Sequence, residues 1–143
     1  MSQVLEVSEV RDIFCAVSWE LRVDPERRVS HVRMRDTVTF DELETVQRVL
    51  GRDAAFDPSF GLVIDLRAAR DVDLSWTELD TIIACDPVDA CARRAVVVGN
   101  LIVSAIARVY QFMRQDMTRA PAVRICQSLD EAWQWLRVQP FDS

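Results

Sequence analysis

Between Gly61 and Met113 the chain twice runs a short, unbroken apolar strand into a helix. Gly61-Leu-Val-Ile-Asp-Leu-Arg67 leads through Asp73-Leu-Ser-Trp-Thr-Glu78 into a helical segment. Arg94-Ala-Val-Val-Val98 then leads through Gly99 into Asn100-Leu-Ile-Val-Ser-Ala-Ile-Ala-Arg-Val-Tyr-Gln-Phe-Met113. Continuous apolar runs are expected of strands covered on both faces, and strands joined by single helices pair in parallel through right-handed crossovers. This stretch therefore predicts a parallel sheet with polar groups at its carboxyl edge, the place where open α/β sheets bind ligands.

The flanking segments complete the pattern. Ile13, Cys15, Val17, Trp19, Leu21 and Val23 are apolar at every second position, with Ser18, Glu20 and Arg22 between them, which predicts one half-buried strand. Asp24-Pro-Glu-Arg-Arg28 is a turn. Val29 to Arg35 alternates again, with Val32 and Met34 on one face and His31, Arg33 and Arg35 on the other, so the first two strands form a hairpin. Thr39-Phe-Asp-Glu42, Ser75-Trp-Thr-Glu78 and Ser128-Leu-Asp-Glu131 each match the capping box, in which hydroxyl and carboxylate satisfy the free donors of a helix start. The helices that follow are expected from Phe40 to about Gly51, Trp76 to about Cys85, Leu101 to about Met117 with an inward stripe of Ile102, Ile106, Val109, Tyr110, Met113 and Met117, and Leu129 to Leu136, ending before Pro140. A last strand runs from Ala122 to Cys126. The order is β-β-α-β-α-β-α-β-α: a single α/β domain over residues 13–138 with a mixed, mostly parallel central sheet and four helices, an N-terminal segment 1–12 and a C-terminal tail 139–143.

Composition removes several function classes. The formal net charge is -6, which argues against nucleic acid and anionic membranes as partners. All 17 basic residues are arginine, so no lysine can serve a phosphate loop, a Schiff base or a kinase site. Three scattered glycines cannot build a phosphate cradle. His31 is the sole histidine and lies among arginines, which disfavours both a metal site and a Ser-His-Asp arrangement. No paired carboxylates can be placed together in a pocket. We therefore expect no catalytic residues, no metal and no cofactor. The N-terminus lacks the features of a signal peptide. The longest apolar run, about 13 residues from Ala95 to Ala107, is shorter than the roughly 20 needed to span a bilayer. A cytoplasmic protein is expected, with reduced, structural cysteines at 15, 85, 91 and 126; the spacing of Cys85 and Cys91 fits no zinc motif, and a redox pair is the competing reading.

The element order, together with Val38-Thr-Phe-Asp-Glu-Leu43, Ile64-Asp-Leu-Arg67, Arg94-Ala-Val-Val-Val98 with Ala107-Arg-Val-Tyr110, and Asp130-Glu-Ala-Trp-Gln-Trp-Leu136, resembles the STAS fold of sporulation-type anti-sigma-factor antagonists, and more closely the SpoIIAA-like (STAS/SEC14-type) family of small bacterial proteins. The resemblance spans roughly residues 13–137. It implies a non-enzymatic regulatory module that binds a protein partner, or a small hydrophobic, lipid-like ligand held between the third helix and the sheet. In the antagonists a serine at the start of the second helix is phosphorylated. The matching stretch here is Asp73-Leu74-Ser75, but Trp76 stands where that pattern continues with serine or glycine.

On the residues alone, Ser75 is a phosphorylation candidate, since a phosphate at a helix N-terminus meets free backbone donors; the competing reading is a plain N-cap. Asp65, Arg67 and Arg70, with Asp73, either bind a polar ligand or partner at the sheet edge or form an ion-paired loop, Arg67 and Arg70 against Asp65, Asp71 and Asp73. Asn100, Ser104 and Arg108 form an i, i+4, i+8 row that faces a cleft with Tyr110 nearby, or else a solvated helix face. Trp76 and Trp135 fall off the inward stripes of their helices, so an association surface, with homodimerisation as one form of it, is expected there.

Overall fold

The computed structural model describes residues 3–7, 12–117 and 123–137. Its sheet contains seven strands in chain order: β1 (Gln3–Val7), β2 (Asp12–Cys15), β3 (Trp19–Asp24), β4 (Val29–Thr39), β5 (Gly61–Asp73), β6 (Arg94–Val98) and β7 (Val123–Cys126). Strands β1 to β4 pair antiparallel, and β4 to β7 pair in parallel. The helices are α1 (Phe40–Arg52), α2 (Trp76–Ala84), α3 (Leu101–Met117) and α4 (Leu129–Leu136). The mixed sheet, the four helices and their order are those read from the sequence.

The β3–β4 hairpin turns where expected. Asp24 is buried, and its Oδ1 accepts from the backbone N–H of Glu26 and Arg27 at 3.1 and 3.2 Å. Arg28 then takes a left-handed φ of 57°. The expected single strand from Ile13 to Val23 is instead two strands, β2 and β3, folded into a second hairpin. Its corner is Val17, which is 94% exposed. Apolar alternation continues in the sequence through the corner, so periodicity alone does not reveal it. β1, drawn from the N-terminal segment, adds antiparallel to β2. The tail 139–143 lies outside the described residues.

α1, α2 and α3 share one face of the sheet. Val46 and Leu50 of α1 and Val103 and Ala107 of α3 join Leu21, Val32, Met34, Leu62, Leu66 and Val96 in the larger core. α4 covers part of the other face, packing Ala132 and Trp133 on Val29, Val63, Ala95, Val97 and Cys126. Three successive crossovers of the same hand, each stepping one strand outward, place their helices on one side; the final helix follows the last strand and is free to cross to the other.

The capping boxes at Thr39/Glu42 and Ser75/Glu78 are complete. At α4 the box is half made: Ser128 accepts from Glu131 N–H at 3.2 Å, but the Glu131 carboxylate takes the N–H of Gln127 at 3.1 Å. The α3 stripe also differs from the expected one. Ile102 is 59% exposed, and the buried positions are Val103, Ala107 and Arg114. The side chain of Met117 lies outside the described residues. Cys126 is buried, and burial pushes its thiol pKa up to about 11, as befits a small apolar side chain. The Cys15 side chain lies outside the described residues, and Cys85 and Cys91 are free and exposed.

Candidate functional site

The strands β4 and β5 outrun their neighbours. β5 pairs with β6 only as far as Leu66, whereas its pairing with β4 continues to Thr39↔Asp73 through two register shifts. This two-stranded extension carries the chain to the starts of α1 and α2. Asp73 is its exposed last residue, so the segment expected as an ion-paired loop is a strand. Arg70 lies 3.9 Å from Asp36, and Arg67 pairs with Asp65; no ion pair to Asp71 or Asp73 occurs among the described residues.

Ser75 caps α2. Its Oγ accepts from Glu78 N–H at 3.1 Å, and its own N–H donates to the Glu78 carboxylate at 2.9 Å. The residue is exposed. Trp76 follows at 69% exposure. Asn100 does for α3 what Ser75 does for α2: its Oδ1 accepts from Val103 N–H at 2.9 Å, while its Nδ2 donates to the carbonyl of Ala69 at 3.0 Å, pinning the helix start to the β5 extension. Gly99 makes this junction possible. A Cβ there would meet the Arg67 carbonyl oxygen at 2.9 Å, so only glycine lets the two chains lie together. Leu101, 89% exposed, and Ile102 continue the rim.

The remaining candidates do not join this rim. Along α3, Ser104 is half-buried and Arg108 exposed. Tyr110 turns the other way, into the space between helices and sheet. There its hydroxyl lies beside Asp86, Arg94 and Arg114, and burial raises its pKa. Asp65 points to the α4 face. Burial pushes its pKa up, but the hydrogen bonds from Arg67 outweigh that and hold the carboxyl below its usual range. Trp135 is half-buried: its Nε1 donates to the Arg94 carbonyl at 3.2 Å, and Arg93 stacks on its ring at 4.6 Å.

Two further features stand apart from the rim; the family resemblance implied a pocket in the region of the first, between the third helix and the sheet, and only the second escaped the sequence reading. The first is a cavity of about 110 Å³ between the sheet and α1, α2 and α3, walled by apolar side chains such as Leu43, Val46, Leu79, Val96, Val103 and Ile106. Gln47, Asp86 and Tyr110 supply its polar margin. The second is a buried ionic cluster at that margin. Arg94 is fully buried and donates to Asp86 Oδ2 through Nε at 3.2 Å and Nη2 at 2.9 Å, and Arg114 Nη1 lies 3.3 Å from the same oxygen. Carbonyls of Val88 and Ala92 take the other Arg94 donors, which is what makes a buried guanidinium tolerable. Among the described residues no group of three or more His, Cys, Asp or Glu side chains is placed to hold a metal ion. No described helix is long and apolar enough to cross a membrane.

No protein-family model matches the sequence, and no curated protein is significantly similar to it. Solved structures are similar over nearly the whole chain. An uncharacterised DUF3478 protein with a SpoIIAA-like fold from Shewanella loihica PV-4 matches 92% of this chain and 99% of its own, at a TM-score of 0.52 and 13% identity. The unphosphorylated form of the anti-sigma factor antagonist SpoIIAA matches 96% of this chain and 98% of its own, at 0.51 and 11% identity. The fold is SpoIIAA-like. At such identities the likeness speaks for the architecture of this SpoIIAA-like domain, and its function has to be argued from its own residues.

Proposed function

We propose that this SpoIIAA-like domain is a non-catalytic regulatory module that docks a protein partner through the rim formed by the first turns of α2 and α3. The observation that carries this reading is the grouping of Trp76, Leu101 and Ile102, 69%, 89% and 59% exposed, at two adjoining helix starts, whereas the other exposed large apolar side chains among the described residues, Val17 and Phe112, stand apart from one another. Exposed tryptophan and branched aliphatic side chains at a rim supply the anchors a partner needs. Asp73, Ser75 and Asn100 supply polar neighbours. The likeness to an anti-sigma factor antagonist is consistent with such a role.

The test compares the wild-type domain with a Trp76→Ser/Leu101→Ser/Ile102→Ser variant in pull-downs from native extract, followed by amide hydrogen exchange on the complex. A partner kept by the first and lost by the second, with protection confined to residues 73–78 and 99–104, supports the reading; protection elsewhere overturns it. Light scattering of the isolated domain asks whether the partner is a second copy. Ser75 enters the same scheme: a phosphate there would add about -1.5 to -2 charges beside Asp73 and Glu78. If Ser75→Asp leaves partner affinity unchanged, the hydroxyl serves as a cap alone.

A second reading is favoured by the apolar cavity: a carrier or sensor of a small hydrophobic ligand. An apolar cavity of about 150 Å³ holds a benzene ring, so the 110 Å³ here suits a single ring or a short alkyl chain and not a full-length lipid. Native mass spectrometry of freshly purified protein decides it through the mass of any retained molecule.

A further inference from the structure

A second concavity lies across the sheet from the apolar cavity, on the face that α4 covers only in part. It is a cleft of about 500 Å³ over the β4–β5 pair, lined by Arg33, Met34, Arg35, Asp65, Arg67 and Ala68. Three guanidiniums and the Asp65 carboxylate thus line the cleft, in a chain whose net charge is -6. The carboxylate is already engaged. Asp65 accepts from Arg67 Nε at 2.9 Å and Nη2 at 2.8 Å, from the Arg67 backbone N–H at 3.1 Å, and lies 3.7 Å from Arg33 Nε. The backbone of Arg67 is in turn held against Gly99. Arg33 is 48% exposed at its side chain, with Glu20 at 4.0 Å as its other acidic neighbour. The exposed Arg35 side chain makes no hydrogen bond or ion pair among the described residues.

We propose that this cleft binds a small phosphate monoester, with the phosphoryl group between Arg33 and Arg35 and Arg67 as the fixed wall. A guanidinium presents two parallel donors that match phosphate oxygens, and one locked arm lowers the ordering cost of the site. The excess of guanidinium over carboxylate suits a dianion. The volume exceeds what a bare phosphate needs and leaves room for an organic group over Ala68. This site is separate from the α2/α3 rim, and either assignment can fail without the other.

The test is isothermal titration calorimetry of the full chain at about pH 8, where a phosphate monoester with its second pKa near 6 is a dianion. Phenyl phosphate is the probe, and benzoate is its singly charged counterpart. Saturable binding of phenyl phosphate is expected, at least about tenfold tighter than benzoate and at least about tenfold weaker in Arg35→Ala and in Arg33→Ala. Arg35→Lys should retain part of the affinity, and Arg48→Ala, an exposed arginine of α1, should retain all of it. Urea unfolding of each variant checks that the fold is kept, and the exposed Arg35 keeps the test open if Arg33→Ala is unstable. Absence of saturable binding, equal affinity for benzoate, or equal losses in Arg35→Ala and Arg48→Ala each overturn the proposal.

Discussion

Val96 and Val97 are neighbours on β6, both buried, yet they face different kinds of interior. Val96 borders the apolar cavity beneath α1, α2 and α3, whereas Val97 is packed against α4. The difference extends across the sheet. The three-helix face is apolar and leaves a void, with the Asp86–Arg94–Arg114 cluster at its margin. The α4 face is tightly filled where the helix lies and open and arginine-rich where it does not. Three crossovers must span the sheet on one side and need not seal against it at every point, whereas one short helix seals a small area and leaves the rest to water. The contrast shows that in this sheet the side with more helices is the one that keeps a void.

The largest expected effect tests the charge on the three-helix face. Arg94→Ala leaves Asp86 buried with half its partners and should cost about 3–5 kcal/mol in urea unfolding. Arg94→Met, which keeps the volume, tests whether packing alone explains the loss. Next comes the α4 face. His31 is buried against Trp133, with ring centroids 5.4 Å apart, and burial lowers its pKa from 6.5 to about 4, against the opposing pull of Asp65. The unfolded chain binds this proton below 6.5 and the folded chain does not, so stability is complete above that pH and falls as pH drops towards 4. The loss should be on the order of 3 kcal/mol. His31→Gln should flatten the slope of stability against pH in that window; an unchanged slope would mean that other groups carry it. The smallest effect is the most pointed. Val97→Ile should destabilise by about 1–3 kcal/mol through overpacking, while Val96→Ile, growing into the cavity, should be neutral or stabilising by up to about 1 kcal/mol. Equal effects at the two positions would erase the distinction between the faces.

Much of this architecture is legible in the sequence, because its signals are local and redundant. Unbroken apolar runs mark β5 and β6, three hydroxyl–glutamate pairs mark helix starts, and Asp24-Pro25 marks the hairpin. The failures share a cause: a pattern that is consistent with two arrangements. Alternation through Val17 hides a corner. In α3, Ile, Val and Ala fall on several sides of the helix, so its inward line is ambiguous in the sequence; it runs through Val103, Ala107 and Arg114, whose guanidinium meets Asp86. Arg94 opens an apolar run and reads as its exposed end, yet it is the largest fully buried side chain. The candidate site scattered for a similar reason. Asp65 and Arg67 stand near Asp73 and Ser75 in the chain, but alternation from Val63 turns Asp65 to the α4 face before the extension begins, and Tyr110 goes to the cavity while Asn100 stays on the rim.

The strands lie side by side in the order in which they occur in the chain. None has to be threaded between two that have already zipped together, so the sheet can grow outward from the central β4–β5 pair, each newcomer adding at a free margin. The three parallel pairings each close over a helical crossover, so they, and not the short amino-terminal hairpins, should set the pace of assembly. Growth in this manner leaves β1 and β7 as the last to join and the first to be lost. Trimming from the amino end should therefore shorten the sheet strand by strand, while removal of a middle strand would undo it altogether.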